Sequence, residues 1–201
     1  AGWDTTAQAA DIRTAAQNVG AFPLATGSTD CALLLSFAPG NYTVQVASAD
    51  GSNGVALVEV YDTQAPDLSR LKNLSARAQV QNGAGVLIGG LVIDGGVKKS
   101  VLLRAAGPTL AAFGVQSVLA QPKLTLFKDG VTVATATSWG AATNAAQISA
   151  TAKTVNAFPF PDGSADAAML LQLDPGAYSL QVAGVDGGTG VALVEVYEVP
   201  Q

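Results

Sequence analysis

The side chains that most often carry catalysis are scarce in this chain. Its 201 residues include no histidine and a single cysteine, which excludes Ser-His-Asp and Cys-His machinery and histidine-ligated metals. No GxSxG, Walker or GxGxxG pattern is present. Ser69 and Lys72 have SxxK spacing, but no companion motif accompanies them. We therefore expect no enzymatic activity.

Carboxylates are the remaining groups that could do chemistry, and they recur at a spacing of 136 residues. The pairs are Asp30/Asp166, Asp50/Asp186 and Glu59/Glu195. Paired acids can hydrolyse glycosides, and loop aspartates can bind Ca²⁺. One aspartate pair lies in Asp-Gly turns and the other precedes strands, so turn or capping roles compete with Ca²⁺ binding. All four aspartates are candidate metal ligands, Ca²⁺ is the one cofactor considered, and otherwise we expect none.

The glutamates of these pairs alternate with valines in predicted strands. We expect Glu59 and Glu195 on the solvent face of a strand or paired with a Lys or Arg. Trp3 and Trp139 also match, and they could stack on sugar rings or bury a large apolar area in a core. Aromatic residues are 6% of the chain, below what we expect of a dedicated glycan-binding face, so a core role is favoured.

These pairs belong to an internal repeat. The octapeptide GVALVEVY occurs at 54–61 and 190–197, and a gapless match runs from Trp3/Trp139 to Tyr61/Tyr197 with roughly half of the positions identical. Cys31 has Ala167 as its counterpart, which favours a small buried side chain over a nucleophile.

Turn signals and alternating apolar residues divide the chain into short strands. In the two repeated stretches we predict strands at 32–37, 42–47 and 55–61, and at 168–173, 178–183 and 191–198. Between them we predict strands at 74–80, 86–93, 100–105, 123–127 and 131–137, with hairpin signals at Asn82-Gly83, Asp94-Gly95-Gly96 and Asp129-Gly130. Helical spacing within 5–17 predicts a short helix near the start.

This pattern predicts an all-β chain. The fold class is an antiparallel β-sandwich, jelly-roll or Ig-like, in one and a half copies of a repeat of about 130 residues. No segment provides the crossover helices that a parallel sheet requires. The expected domains are a half-repeat of three strands and a short helix at 1–65, a connector at 66–73, and a complete sandwich at 74–199, whose second half, 138–199, is homologous to 3–62 and whose first half is 74–137.

Composition narrows the partners. The net charge of −5 and the pI near 4.5 argue against nucleic acid and anionic membranes. No apolar run reaches the ~18–20 residues needed for membrane insertion. The chain begins with Ala-Gly-Trp, with neither a signal-peptide pattern nor an initiator Met, so we expect a processed or excised piece.

Two stretches resemble secreted modules. The runs LIGGLVIDGGVKKSVLLRAAGPTLAAFGV (87–115) and LDPGAYSLQVAGVDGGTGVALVEVYE (173–198), with Trp139 between them, resemble a tandem module of large secreted bacterial surface proteins. The latter half is also similar to the strand–PGxY–strand ending of pre-peptidase C-terminal-type β-sandwiches. The resemblance covers almost the whole chain. It implies an extracellular accessory role and brings no catalytic residues.

The half-repeat at the start is the main clue to function. Three apolar strands without partners would expose sheet edges and an apolar face, so the candidate assembly residues are Leu33, Leu35, Val55, Leu57, Val58 and Val60. They could be covered by a preceding half-repeat of a longer array or by strands of a neighbouring subunit. A third possibility is that each half folds alone.

We therefore predict a non-enzymatic structural module, secreted or at the cell surface, that assembles with copies of itself or with neighbouring repeats. A filament or surface-layer subunit joined by inter-subunit β-strand complementation is one form of this hypothesis. The alternative, in which a glycan or Ca²⁺ would be the ligand, is a carbohydrate- or Ca-binding accessory module of a secreted bacterial enzyme or adhesin.

Overall fold

The computed structural model describes residues 2–63 and 70–200 and divides the chain into two units, residues 1–71 and 72–201. Helix α1 (Ala9–Asn18) belongs to the first unit and helix α2 (Ala145–Thr154) to the second. In the ranges described, no helix is both long enough and apolar enough to cross a bilayer. Ser69 and the start of the predicted connector lie outside the described residues.

The second unit is an antiparallel β-sandwich, as predicted. Its described strands are β1 Asn73–Val80, β2 Leu87–Ile93, β3 Lys99–Ala106, β4 Pro122–Lys128, β5 Val131–Ala136, β6 Ala167–Leu173, β7 Gly176–Gly184 and β8 Gly190–Glu198. One sheet has the order β1-β8-β3-β6 and the other β2-β7-β4-β5. The predicted strands match these bounds to within two residues because alternation and turn residues are local signals.

The second unit is built from two halves that interleave strand by strand. We call residues 73–136 the unrepeated half and residues 138–198, like their counterparts 2–62, a repeated half. Strand β8 pairs with β1 and β3, β7 with β2 and β4, and β6 with β3. Among the described ladders, the β4–β5 hairpin alone joins strands of the same half. Neither half can form its sheets without the other.

Two of the three predicted hairpins are wrong. Asn82-Gly83 and Asp94-Gly95-Gly96 connect β1 to β2 and β2 to β3, which lie in different sheets. Gly83 and Gly95 do have positive φ, 62° and 102°, so the chain turns where the sequence indicates. The third signal, Asp129-Gly130, forms the β4–β5 hairpin with φ of 52° and 76°, as a tight two-residue turn requires. A turn motif reports a reversal of the chain, and packing decides which strand becomes the partner.

The main core lies between the two sheets and takes side chains from both halves, including Leu103, Leu124, Leu180 and Val194. A smaller cluster forms on the other face of the β1-β8-β3-β6 sheet. There Leu102 of β3 packs with Trp139, with Ile148 of α2 and with Tyr197 of β8. The second unit therefore buries apolar side chains on both faces of this sheet.

The first unit reproduces the helical start of a repeated half but not its strands. Its 3-10 turn at Trp3–Thr5 and α1 correspond residue for residue to the turn at Trp139–Ala141 and to α2. The strands predicted at 32–37, 42–47 and 55–61 are not observed, since no helix or strand is assigned in residues 19–63. The reason lies in the pairing: β6, β7 and β8 take all their ladder partners from the unrepeated half.

Candidate interaction site

The candidate metal ligands are dispersed. Within residues 2–63 and 70–200, no group of three or more His, Cys, Asp or Glu is placed to hold a metal ion. The Asp50 carboxylate accepts hydrogen bonds from the Ser48 hydroxyl at 2.6 Å and the Ser52 amide at 2.9 Å. The hydrogen bond from Ser48 is the largest of the effects that hold the pKa of Asp50 well below its ordinary value, and the hydrogen bonds from Ser52 add to it. Asp186 is exposed, with a φ of 51°, and Ca²⁺ ligation at either loop stays a prediction.

The two tryptophans are buried, which is the core role favoured above. The Trp3 indole N–H donates to the Ala25 carbonyl at 3.0 Å, and the Trp139 indole N–H donates to the Pro161 carbonyl at 3.2 Å. A buried ring whose polar atom is already bonded offers no free face for stacking on a sugar. Both indoles instead anchor the helical segment of their repeated half.

Asp166 forms one of two buried polar contacts between the halves of the second unit. It is 0% exposed, and its carboxylate accepts hydrogen bonds from the Gly107 amide at 2.7 Å and from the amide and hydroxyl of Thr109. Gly107 is required there, because a Cβ atom would lie 2.1 Å from the Leu119 carbonyl oxygen. A carboxylate of the repeated half thus fixes the turn after β3 of the unrepeated half.

Arg104 of β3 and Glu195 of β8 form the other contact. Their side chains are 1% and 4% exposed, with Nε and Oε2 3.4 Å apart, and the Tyr197 hydroxyl donates to Glu195 Oε1 at 2.7 Å. The Arg104 guanidinium carbon lies 4.4 Å from the ring centroid of Phe158 and 3.9 Å from that of Phe160, within cation–π range. The solvent-face alternative for Glu195 is therefore wrong, and pairing with an arginine is what the structure shows.

Burial governs the ionisation of this cluster. It raises the pKa of Glu195, and the Arg104 charge and the Tyr197 hydrogen bond oppose that increase only in part. Burial also lowers the pKa of Arg104 and raises the pKa of Tyr197. Nη1 and Nη2 of Arg104 have no hydrogen-bond partner among the described residues. Such a pair tolerates burial because both charges are present, and losing one leaves the other uncompensated.

The first unit contains the acidic residues that correspond to Asp166 and Glu195, namely Asp30 and Glu59. Asp30 and Glu59 are exposed, and the Tyr61 hydroxyl donates to Glu59 Oε1 at 3.0 Å, as its counterpart does in the second unit. Within the part of the chain that the structure describes, no cation pairs with Glu59 and nothing donates to the Asp30 carboxylate.

The candidate assembly residues of the first unit are all exposed: Leu33, Leu35, Val55, Leu57, Val58 and Val60. So are their neighbours Val44 and Val46, at 65% and 57%, whereas the counterparts Leu180 and Val182 are 0% exposed. Segment 31–61 therefore carries apolar side chains of the kind that fill the core of the second unit, and the described residues do not cover them.

The repeat does not point to Arg104, Gly107 and Thr109, the partners of the repeated acids. They lie in the unrepeated half, so no second copy draws attention to them. One signal was available: Arg104 is a lone charge in the apolar run VLLRAA, and a charge that a strand buries requires an opposite partner.

The second unit belongs to the class of antiparallel β-sandwiches, and a comparison with solved structures finds a similar one. It is the pre-peptidase C-terminal domain of a collagenase from Bacillus anthracis, at 12% identity and a TM-score of 0.37, covering 62% of this chain and 89% of that one. No family model matches the sequence, and no curated protein does. A likeness at this level says nothing of activity.

Proposed function

We propose that the chain is a non-enzymatic structural module that acts outside the cell and joins other β half-units through segment 31–61. The exposed apolar set of that segment supports the proposal, because its counterparts form the core of the second unit. Apolar sets of this kind, rimmed by polar residues, mark interaction sites in folded proteins.

A structural role also agrees with the use of the polar groups. The chain has no histidine, and the buried acids Asp166 and Glu195 are engaged in contacts between the halves. The extracellular placement rests on the resemblance to tandem modules of secreted surface proteins. The carbohydrate- or Ca-binding alternative has no specific observation in its favour among the described residues.

The number of repeated and unrepeated halves in each chain favours association with neighbouring repeats of an array over a filament made only of this chain. Each copy carries two repeated halves and one unrepeated half. Identical copies that exchange halves would therefore always leave one repeated half per chain uncovered. A filament of this chain alone would need some contact other than completion of the sandwich.

Light scattering of the full chain over a range of concentrations tests the proposal. Copies of this chain cannot complete the sandwich, so we expect species larger than the monomer to form only by contact between the uncovered apolar faces, and we expect an apolar dye to bind those faces. Both should be lost in the double variant Val44→Lys with Val58→Lys, because charges on an apolar face oppose association. Thr43→Lys is the matched control, since its counterpart Ser179 faces solvent in β7. A compact monomer that binds no dye at any concentration would contradict the proposal.

A further inference from the structure

We infer that the partner of the first unit is a five-stranded β half-unit of the same type as residues 73–136, recognised through a buried arginine and a glycine–threonine turn. In that partner an arginine is followed by a glycine three residues later and by a threonine two residues after that, as Arg104, Gly107 and Thr109 are here. The inference rests on the proposed function and specifies the partner.

Local hydrogen bonds of the repeated half are already formed in the first unit. The Tyr42 hydroxyl donates to the Ala38 carbonyl at 2.8 Å, and its counterpart Tyr178 donates to the Asp174 carbonyl at 2.9 Å. The bond from Tyr61 to Glu59 likewise has a counterpart. The first unit lacks the strand pairings and the buried polar contacts that the second unit makes to the unrepeated half. A partner of that type would supply them.

The charges of Glu59 and Asp30 restrict what could cover the first unit. A partner that brought only apolar strands would bury Glu59 and Asp30 without compensation, which is strongly unfavourable. An arginine beside Glu59 and Tyr61, and an amide with a hydroxyl beside Asp30, would satisfy both. Two rings contact Arg104 in the second unit, those of Phe158 and Phe160. In the first unit the counterpart of Phe158 is also a phenylalanine, Phe22, whereas the counterpart of Phe160 is Leu24.

Gly54 has empty space around it, whereas its counterpart Gly190 does not. At Gly190, whose φ is 153°, a Cβ atom would lie 2.6 Å from the Leu119 backbone nitrogen. At its counterpart Gly54 nothing lies within 4 Å of such an atom. A glycine at position 54 would be needed if the backbone of a partner approached it as closely as the Leu119 backbone approaches Gly190.

A second copy of this chain does not fit as the partner. The unrepeated half of a copy is already paired with that copy's own residues 167–198. The occupant must therefore be a half-unit that has no repeated half of its own in place, which describes the neighbouring repeat of an array.

The test uses the full chain extended at its start by an additional copy of its residues 72–136, which reproduces the native spacing because residue 137 corresponds to residue 1. The readout is the rate at which the Cys31 thiol reacts with Ellman's reagent. Cys31 is the one cysteine of the chain and is exposed, whereas its counterpart Ala167 is 0% exposed. We expect the extension to slow the reaction by at least about 100-fold, because reaction would then require opening of a folded sandwich.

Two variants of the extended chain identify the contacts. Gly54→Ala should restore fast reaction, and so should Arg104→Met placed only in the added copy. Gly54→Ala in the original chain should leave the Cys31 rate unchanged. Amide exchange of residues 167–198 in the same samples verifies that the second unit is folded.

Equal Cys31 rates with and without the extension would overturn the inference, as would protection that neither variant affects. A Cys31 that already reacts slowly in the dilute original chain would overturn it too. If the original chain stays monomeric and binds no dye while the extension protects Cys31, the association proposal fails and the identity of the partner stands.

Discussion

Glu59 and Glu195 show one side chain in two environments within one chain. Both accept a hydrogen bond from the tyrosine two residues later, yet only Glu195 is buried against an arginine. The repeat therefore supplies an internal control at each of these positions. Substitutions in the second unit have matched substitutions in the first, where the partner is absent.

The Arg104–Glu195 pair yields the first prediction at this scale. Arg104→Met should destabilise the second unit by about 3–5 kcal/mol, since it strands a buried carboxylate. The double variant Arg104→Met with Glu195→Leu should recover most of that loss, because an apolar pair needs no compensation. Urea unfolding of the full chain measures both, with Glu59→Gln as the matched control that leaves stability unchanged. If Arg104→Met were as stable as the unsubstituted chain, Arg104 would not be compensating the buried charge of Glu195.

The stability deficit of Arg104→Met should depend on pH. The substitution removes the cation that lowers the pKa of Glu195, so burial keeps that pKa above the ordinary value of 4.5. An acid whose pKa is raised in the folded state contributes most favourably below its unfolded pKa, and this contribution is lost as pH rises through the folded pKa. Burial also raises the folded-state pKa of Glu195 in the unsubstituted chain, so the deficit should grow as pH rises above that pKa, by about 1.4 kcal/mol for each pH unit by which the substitution raises it further.

Urea unfolding at several pH values measures this growth. Adding Glu195→Gln to the variant should flatten the profile, because it removes the carboxyl that titrates. The groups that influence the cluster are Arg104, Tyr197 and Asp166. A deficit that is the same at all pH values would show that Glu195 is not the group responsible.

At the scale of elements, whether a strand forms in this chain depends more on the presence of a pairing strand than on the β-propensity of its residues. The same alternating pattern gives β7 in the second unit and no strand at 42–47 in the first. The helix forms in both units, as α1 and as α2, because its hydrogen bonds and its tryptophan anchor are local. Sheet ladders are non-local, so the absence of the unrepeated half removes them together.

Amide hydrogen exchange should separate the two copies of each strand. We expect amides of 167–173, 176–184 and 190–198 to exchange slowly, and amides of 31–37, 40–48 and 54–62 to exchange near the rate of an unfolded chain, since protection requires stable hydrogen bonds. Leu180→Ala should cost about 2–5 kcal/mol of second-unit stability, whereas its counterpart Val44→Ala should cost that unit nothing. Protection of 54–62 equal to that of 190–198 in a dilute monomer would contradict the structure.

The sequence predicts the strands of the second unit well and their arrangement poorly, for the same reason. Alternation in β7 and the turn residues at Asp129-Gly130 act within a few residues and can be read directly. The wrong hairpins at Gly83 and Gly95, and the missed role of Arg104, depend on contacts between residues far apart in the chain. Of the candidate site, the repeat revealed Asp30, Glu59 and their counterparts, but not the groups that they bind.

At the scale of the whole molecule, the boundary of the folding unit and the boundary of the repeat do not coincide. The structural division falls between residues 71 and 72, while the homologous stretches begin at Trp3 and Trp139. In the observed sandwich, five strands precede residue 137 and three follow it. One and a half repeats of sequence therefore make one sandwich and one uncovered half.

The ends of the second unit are adjacent, because Asn73 is the ladder partner of Tyr197 and the Glu198 amide donates to the Lys72 carbonyl at 3.1 Å. A repeated half that preceded β1 in the chain, instead of following β5, would therefore give a circularly permuted sandwich. Residues 2–136 thus have the connectivity of a circular permutant of the sandwich.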